Sequence, residues 1–154
     1  MTAVQFARIA VATDGSPHAA RALDIAIDLA RRYGSSLTIL GVAPLVPMYI
    51  GSTEQWVPTE IPDIEIQNYR RLVDQNVAKA KAAGLTNVTG VCLEGVIVDE
   101  IISYLEQSPA DLLVMGSRGL STARRLLLGS VSDAIVHHAK CPVMVVRPDG
   151  PPTP

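Results

Sequence analysis

Late in the chain stand Gly116-Ser117-Arg118-Gly119, then nine residues, then Gly129-Ser130. These residue types at this spacing suit phosphate. An anion with several oxygens needs several donors at once. Main-chain N–H groups supply them where no side chain blocks the approach, and glycine also reaches positive φ without strain. Gly116 and Gly119 permit a tight turn, Gly129 lets the backbone approach a second time, and Ser130 adds a hydroxyl. The apolar run Leu112-Leu113-Val114-Met115 precedes them and a helical segment follows. The glycines therefore lie between a strand and a helix N-terminus, whose dipole favours negative charge. A purely structural account stands beside this one: Gly116 as an ordinary turn, and Ser130 capping its helix with Asp133 three residues on. No Lys follows the last glycine of a G-x-x-x-x-G frame, which argues against a P-loop.

Other polar residues fall near the same end of the strands. Asp14, in Thr13-Asp14-Gly15-Ser16, could accept bonds from ribose hydroxyls or help hold Mg²⁺. It could equally close a turn with Gly15 and Ser16. Arg118, Arg124 and Arg125 could pair with a triphosphate; for Arg124 and Arg125 the solvated-loop reading is preferred. His18 lies in the first turn of the first helix, within reach of a ligand there, and nothing in the sequence pairs it with a nucleophile. His137 and His138 sit near the end of the last helix, where a cation suits the dipole. Val42 ends the second strand, so its main chain could meet a base edge; the alternative is a core valine. There is no G-x-S-x-G, no H-E-x-x-H and no carboxylate dyad. A binding site without a catalytic base is the expectation, with no metal ligand assigned.

Elements of alternating type must position these residues. Ile9–Ala12, Leu37–Val42, Val88–Leu93, Leu112–Met115 and Val143–Val146 read as strands. Ser16 reads as an N-cap, Pro17 as a first helical residue, and Gly34 as a C-terminal glycine. That first helix carries Ala20, Leu23, Ile27 and Ala30 on one face. A second carries Ile66, Tyr69, Val73, Val77 and Ala80 and ends at Gly84. A third carries Val98, Ile101, Ile102 and Leu105 and is closed by Pro109. A fourth runs from Ser130 to about Lys140. Five strands alternating with four helices predict an α/β fold: a three-layer, doubly wound, five-stranded parallel sheet with helices on both faces, Rossmann-like in kind. Ligands then sit beyond the carboxyl ends of the strands, where the winding reverses. If strands one and four are neighbours there, the Asp14 and Gly116 turns share one crevice. Ala43 to Pro62, with four prolines and the sole tryptophan, Trp56, reads as a long loop over the sheet edge or the ligand mouth. It could close over a bound base, in which case Trp56 fluorescence would respond to ligand.

Composition narrows the function classes. At 154 residues one domain over residues 1–148 is expected, with a disordered tail at 149–154. Thirteen Lys+Arg against fifteen Asp+Glu leave no basic excess for nucleic acid. Two cysteines, Cys92 and Cys141, form no disulfide framework and read as reduced core thiols. No charged leader precedes a long apolar run, and no apolar stretch approaches the ~20 residues that cross a bilayer. A cytoplasmic protein with neither nucleic-acid nor membrane partner is expected.

The chain resembles the universal stress protein family over Ile9 to Arg147. Gly116, Gly119, Gly129 and Ser130 fit that family's G-x2-G-x9-G-[S/T] without gaps. Similar too are Val-Ala-Thr-Asp-Gly-Ser at 11–16, Gly-Ser-Val-Ser at 129–132 with Ala139 downstream, and Cys-Pro-Val-Met-Val-Val-Arg at 141–147. The resemblance implies an adenine nucleotide alpha hydrolase-like fold that binds ATP or another adenine nucleotide, since the branch without the glycine motif does not bind ATP. It implies that Asp14 contacts the ribose and the Val42 main chain meets adenine. Met115, Gly116, Arg118, Gly119, Gly129, Ser130 and Val131 would hold ribose and phosphates, with Mg²⁺ as an accompanying ion. It also implies a homodimer through the last strand, Val143 to Val146. One departure is mild: Val96-Ile97 follows Gly95 where many relatives have proline two residues after the glycine. A nucleotide-binding stress-response or regulatory protein, at most a slow ATPase, is expected. An ATP-dependent transferase or hydrolase, a nucleotide-independent dimeric module, and a cyclic or monophosphate ligand are the alternatives.

Overall fold

The structure, a computed structural model, describes residues 3–45, 48–49, 56–57, 60–118 and 128–147. Gly119, Arg124, Arg125 and the 149–154 tail lie outside the described residues. In chain order the elements are β1 (Arg8–Thr13), α1 (Pro17–Tyr33), β2 (Ser36–Pro44), β3 (Met48–Tyr49), β4 (Trp56–Val57), α2 (Asp63–Ala82), β5 (Val88–Gly95), α3 (Ile97–Gln107), β6 (Leu112–Gly116), α4 (Ser130–His138) and β7 (Val143–Val146).

Five of the strands form the expected parallel sheet, in the order β5-β2-β1-β6-β7. The segment expected as one long loop is more structured than that. β2 continues to Pro44, the Leu45 N–H donates to the Gly95 carbonyl at 2.8 Å, and β3 and β4 pair antiparallel. Neither signal was visible in a run of prolines.

Local chemistry sets the helix ends. The Ser16 hydroxyl accepts the Ala19 N–H at 3.2 Å, Pro17 opens α1, and Gly34 closes it in the left-handed region at φ 65°. The buried stripe of α1 is Ala19, Ala22, Leu23, Ala26, Ile27 and Ala30, whereas Ala20 faces solvent. The expected face was therefore about one position out of phase at its start. The two sheet faces carry separate cores. Ile9, Val11, Leu37 and Ile39 pack with Leu23 of α1 and Ala80 of α2. Ala10, Leu40, Val42 and Leu113 pack with Ile101 of α3 and Ile135 of α4. Burying both faces is what makes these strands continuously apolar.

The register opens a crevice. From β1 the chain winds outward to β2 and β5, then returns to β6 on the other side of β1, so the winding reverses between β1 and β6. Those two strands pair only as far as Val11↔Val114, although β1 runs on to Thr13 and β6 to Gly116. β2 pairs with β1 as far as Gly41 and with β5 as far as Pro44. The carboxyl ends thus splay where a ligand can enter.

Candidate functional site

β1 delivers Asp14 to the mouth of this crevice in a closed turn. Its carboxylate accepts the Ser16 N–H at 2.9 Å, Gly15 turns at φ 80°, and Asn76 of α2 donates to the Thr13 hydroxyl at 3.1 Å. The turn-forming role weighed for Asp14 is real; one carboxylate oxygen makes that bond. Tyr69 of α2 lies close enough to feel this carboxylate. Burial first, and then the charges of Asp14 and Glu65, push its phenol above the usual tyrosine range.

β6 delivers the glycine motif, and its first glycine acts by absence of bulk rather than by φ. Gly116 is not among the positive-φ glycines. A Cβ there would stand 2.8 Å from His18 Cβ and 2.9 Å from the His18 carbonyl carbon. Only a bare backbone lets the first turn of α1 lie against the end of β6. Gly129 behaves alike: its φ is −61°, and a Cβ would come 3.3 Å from the Ser117 carbonyl oxygen. The tight turn expected of Gly116 is thus corrected to close packing against α1, while the close approach expected of Gly129 is found, with the Ser117 carbonyl as the neighbour.

Ser117 joins the two halves of the motif. It is buried at 6% exposure. Its N–H donates to the Val146 carbonyl at 2.8 Å, tying β6 to the end of β7. Its carbonyl accepts both the Gly129 N–H at 2.8 Å and the Ser132 hydroxyl at 2.8 Å. The same hydroxyl lies 3.2 Å from the Gly129 carbonyl. The start of α4 is thus held beside the end of β6. Gly129, not Ser130, is the N-cap of α4, and no side chain caps it. Ser130 is the exposed first residue of the helix, so the Ser130–Asp133 cap pair does not form.

Ser117 also has a partner the sequence did not reveal. Its hydroxyl lies 3.0 Å from His18 Nδ1, across 99 residues of chain. The expectation that His18 is paired with no nucleophile is therefore corrected. The cause is the tight approach of α1 to β6 that Gly116 allows. Ser132 was likewise unassigned, and only its burial and its bond to Ser117 expose its role.

The remaining candidates divide. Met115 and Val42 are each 5% exposed, with side chains in the α3–α4 core, so only their main chains are offered to a ligand. Val131 is half-buried against the same core. Arg118 is half-buried at the start of the segment that leads toward Gly119. The charge around the mouth is mixed: Asp14 on one side, and on the other Arg21, whose guanidinium donates to the Arg147 carbonyl at 3.1 Å. Among the described residues no three His, Cys, Asp or Glu side chains gather as a metal cluster. Any divalent ion would need ligand oxygens from phosphate as well as protein. Cys92 and Cys141 are free and half-buried, and desolvation chiefly raises both thiols.

A cavity of about 520 Å³ lies at the opposite end of the sheet, between the N-terminal segment and the ends of α3 and α4. Phe6, Leu105 and Pro142 line it, with Lys140 and Glu106 paired at 3.1 Å on its rim. It shares no residue with the glycine motif. No helix among the described residues is long and apolar enough to cross a membrane.

A family model described as the universal stress protein family matches residues 5–147. A Thermus aquaticus universal stress protein, encoded in the QAH/OAS sulfhydrylase 3′ region, is 36% identical over 145 residues, covering 92% of this chain and 99% of its own. The universal stress protein UspA of Lactobacillus plantarum superposes with a TM-score of 0.80 at 27% identity, covering 93% of this chain and 99% of its own. A universal stress protein crystallised in complex with cAMP superposes at 0.68 with 28% identity, covering 93% and 98%.

Proposed function

We propose, since this chain belongs to the universal stress protein family, that it binds an adenine nucleotide, ATP foremost, in the crevice between the ends of β1 and β6. One observation carries the reading. The Ser117 carbonyl draws Gly129 and the start of α4 to the end of β6, so both halves of a glycine motif meet where the sheet splays. The cAMP complex of a relative with the same fold supports an adenine ligand.

In this reading the Asp14 oxygen not bonded to Ser16 receives a ribose hydroxyl, and the Val42 main chain borders the base. Along Met115 to Gly119 and Gly129 to Val131, the main-chain N–H groups not already bonded within the protein donate to ribose and phosphate oxygens; those of Ser117 and Gly129 serve the Val146 and Ser117 carbonyls and shape the site instead. Arg118 and the Ser130 hydroxyl complete the anion site. Mg²⁺, where present, is shared between phosphate oxygens and at most a carboxylate such as Asp14. The protein is a regulatory nucleotide binder of the cytoplasm, a placement suited to free, half-buried thiols. A slow ATPase is the second reading, favoured by one contact: His18 stands within base distance of a serine hydroxyl. Two copies associate through β7. This strand pairs with β6 alone among the described strands, and its Met144 is 36% exposed.

Denaturing the purified protein and identifying what it releases tests the ligand. Release of an adenine nucleotide is expected. A clean chain that also gives no calorimetric heat with ATP and Mg²⁺ overturns the reading. Gly119→Val should abolish binding while leaving the far-UV spectrum intact. Brisk multiple-turnover phosphate release would promote the enzymatic reading. Sedimentation of Met144→Lys should give monomers where the parent gives dimers.

A further inference from the structure

We propose that His18 and Ser117 form a proton-coupled donor pair of the nucleotide site, so that the affinity for the ligand's phosphates rises as the imidazole takes up a proton. This deepens the reading above and rests on it. Three observations carry it. The His18 Nδ1–Ser117 Oγ contact is 3.0 Å, within hydrogen-bond range. Ser117 lies inside the glycine motif itself, and its carbonyl holds the other half. His18 Nε2 has no protein partner among the described residues, and the side chain is half-buried and half open.

The coupling follows from the donor count. A neutral imidazole has one N–H, so Nδ1 either donates to the Ser117 hydroxyl or accepts from it. A doubly protonated ring donates from both nitrogens. Nδ1 must then donate, the Ser117 oxygen must accept, and the hydroxyl proton turns away from the ring. Protonation therefore raises the outward donors of the pair from one to two, adding Nε2–H or the Ser117 O–H according to the neutral tautomer, and it places one positive charge beside the place where phosphate is held. An anionic phosphate oxygen gains more from this charge-assisted bond than a neutral acceptor does. Histidine is the side chain that makes this change near neutral pH.

The charged groups at this end of the surrounding elements are Asp14 at the end of β1, Arg21 on α1, Arg118 beyond β6 and Arg147 beyond β7, while Asp24, Asp28, Arg31 and Arg32 lie further along α1 and Arg8 at the start of β1. On α4, Asp133 and His137 engage each other at 3.8 Å. Gly116 fixes the geometry of the pair, because the backbone of His18 occupies the space a side chain there would need.

The test compares ATP binding by the parent protein and by His18→Gln, by calorimetry from pH 5.5 to 8.5. The ionisation of ATP is common to both proteins and cancels in the ratio of affinities. That ratio should be about tenfold in favour of the parent at the acid end and near unity at the alkaline end, as one charge-assisted bond provides. Parent binding should also take up a proton, read as heat that varies with the buffer's ionisation enthalpy. Ser117→Ala, which keeps the imidazole but removes the hydroxyl that orients it, should weaken the pH dependence without abolishing it. Imidazole nitrogen signals of His18 should shift on adding ATP. A pH-independent ratio, with ATP still bound by both proteins, overturns this proposal alone. Loss of ATP binding by the parent at every pH overturns it together with the nucleotide reading.

Discussion

Two turns face the crevice, and they are built on different scales. The β1 turn is mainly local: the Asp14–Ser16 and Ser16–Ala19 bonds lie within six residues, and Asn76 of α2 adds one distant bond at Thr13. The β6 turn is assembled from a distance. Ser117 bonds to Val146, Gly129, Ser132 and His18, which come from β7, the far part of the glycine motif, α4 and α1. A local turn forms when its own residues agree. A distributed turn forms only when four elements have already packed, so it is rigid once built and exposed to damage from any of them.

Substitutions can break or sharpen that contrast. The largest effect is expected for Gly116→Ala. Its Cβ meets His18 main-chain and Cβ atoms at 2.8–2.9 Å, so α1 must move, costing about 3 kcal/mol in urea denaturation and most nucleotide affinity. Ser132→Ala removes a buried hydroxyl from the Ser117 carbonyl and should cost about 1.5 kcal/mol, with a measurable loss of ATP affinity. Ser16→Ala removes the α1 cap and should cost about 1 kcal/mol. It should leave nucleotide affinity near that of the parent, because the Asp14 carboxylate bonds to the Ser16 main chain and not its side chain. If Ser16→Ala harms binding as much as Ser132→Ala does, the contrast between the turns fails.

The smallest effect belongs to the far end of the sheet. The Arg8 guanidinium holds the Asp111 carboxyl below its usual range, chiefly by a side-chain hydrogen bond at 2.8 Å. A carboxyl lowered in the folded state stabilises above its unfolded value, and that contribution is lost as pH falls through the folded one. The urea midpoints of the parent and Asp111→Asn should therefore differ slightly at neutral pH and converge in acid. Side-chain exposures of 56% and 26% keep the pair weak. ATP affinity should not change.

The same contrast of scale explains what the sequence could reveal. Ser16-Pro17 and Gly34 announced the ends of α1, and unbroken apolar runs announced the five strands, because those signals lie within a few residues. The glycine motif was visible as a spacing. Its mechanism was not, since the reason for Gly116 is the backbone of His18, nearly a hundred positions away. Ser132 looked like any helical serine until its carbonyl partner was placed. The phase of α1 was misjudged at Ala20 because alanine fits either face of a helix. The short pairing of β3 with β4 was hidden by the prolines around it.

The bond from the Gly129 amide to the Ser117 oxygen has an outcome for exchange with heavy water. Gly129 sits outside every helix and strand, where amide protons ordinarily swap within seconds to minutes. Its acceptor belongs to a residue sealed from solvent. Deuterium should enter that single position on the slow clock of the sheet, marking one loop proton that opens only when the centre of the molecule does.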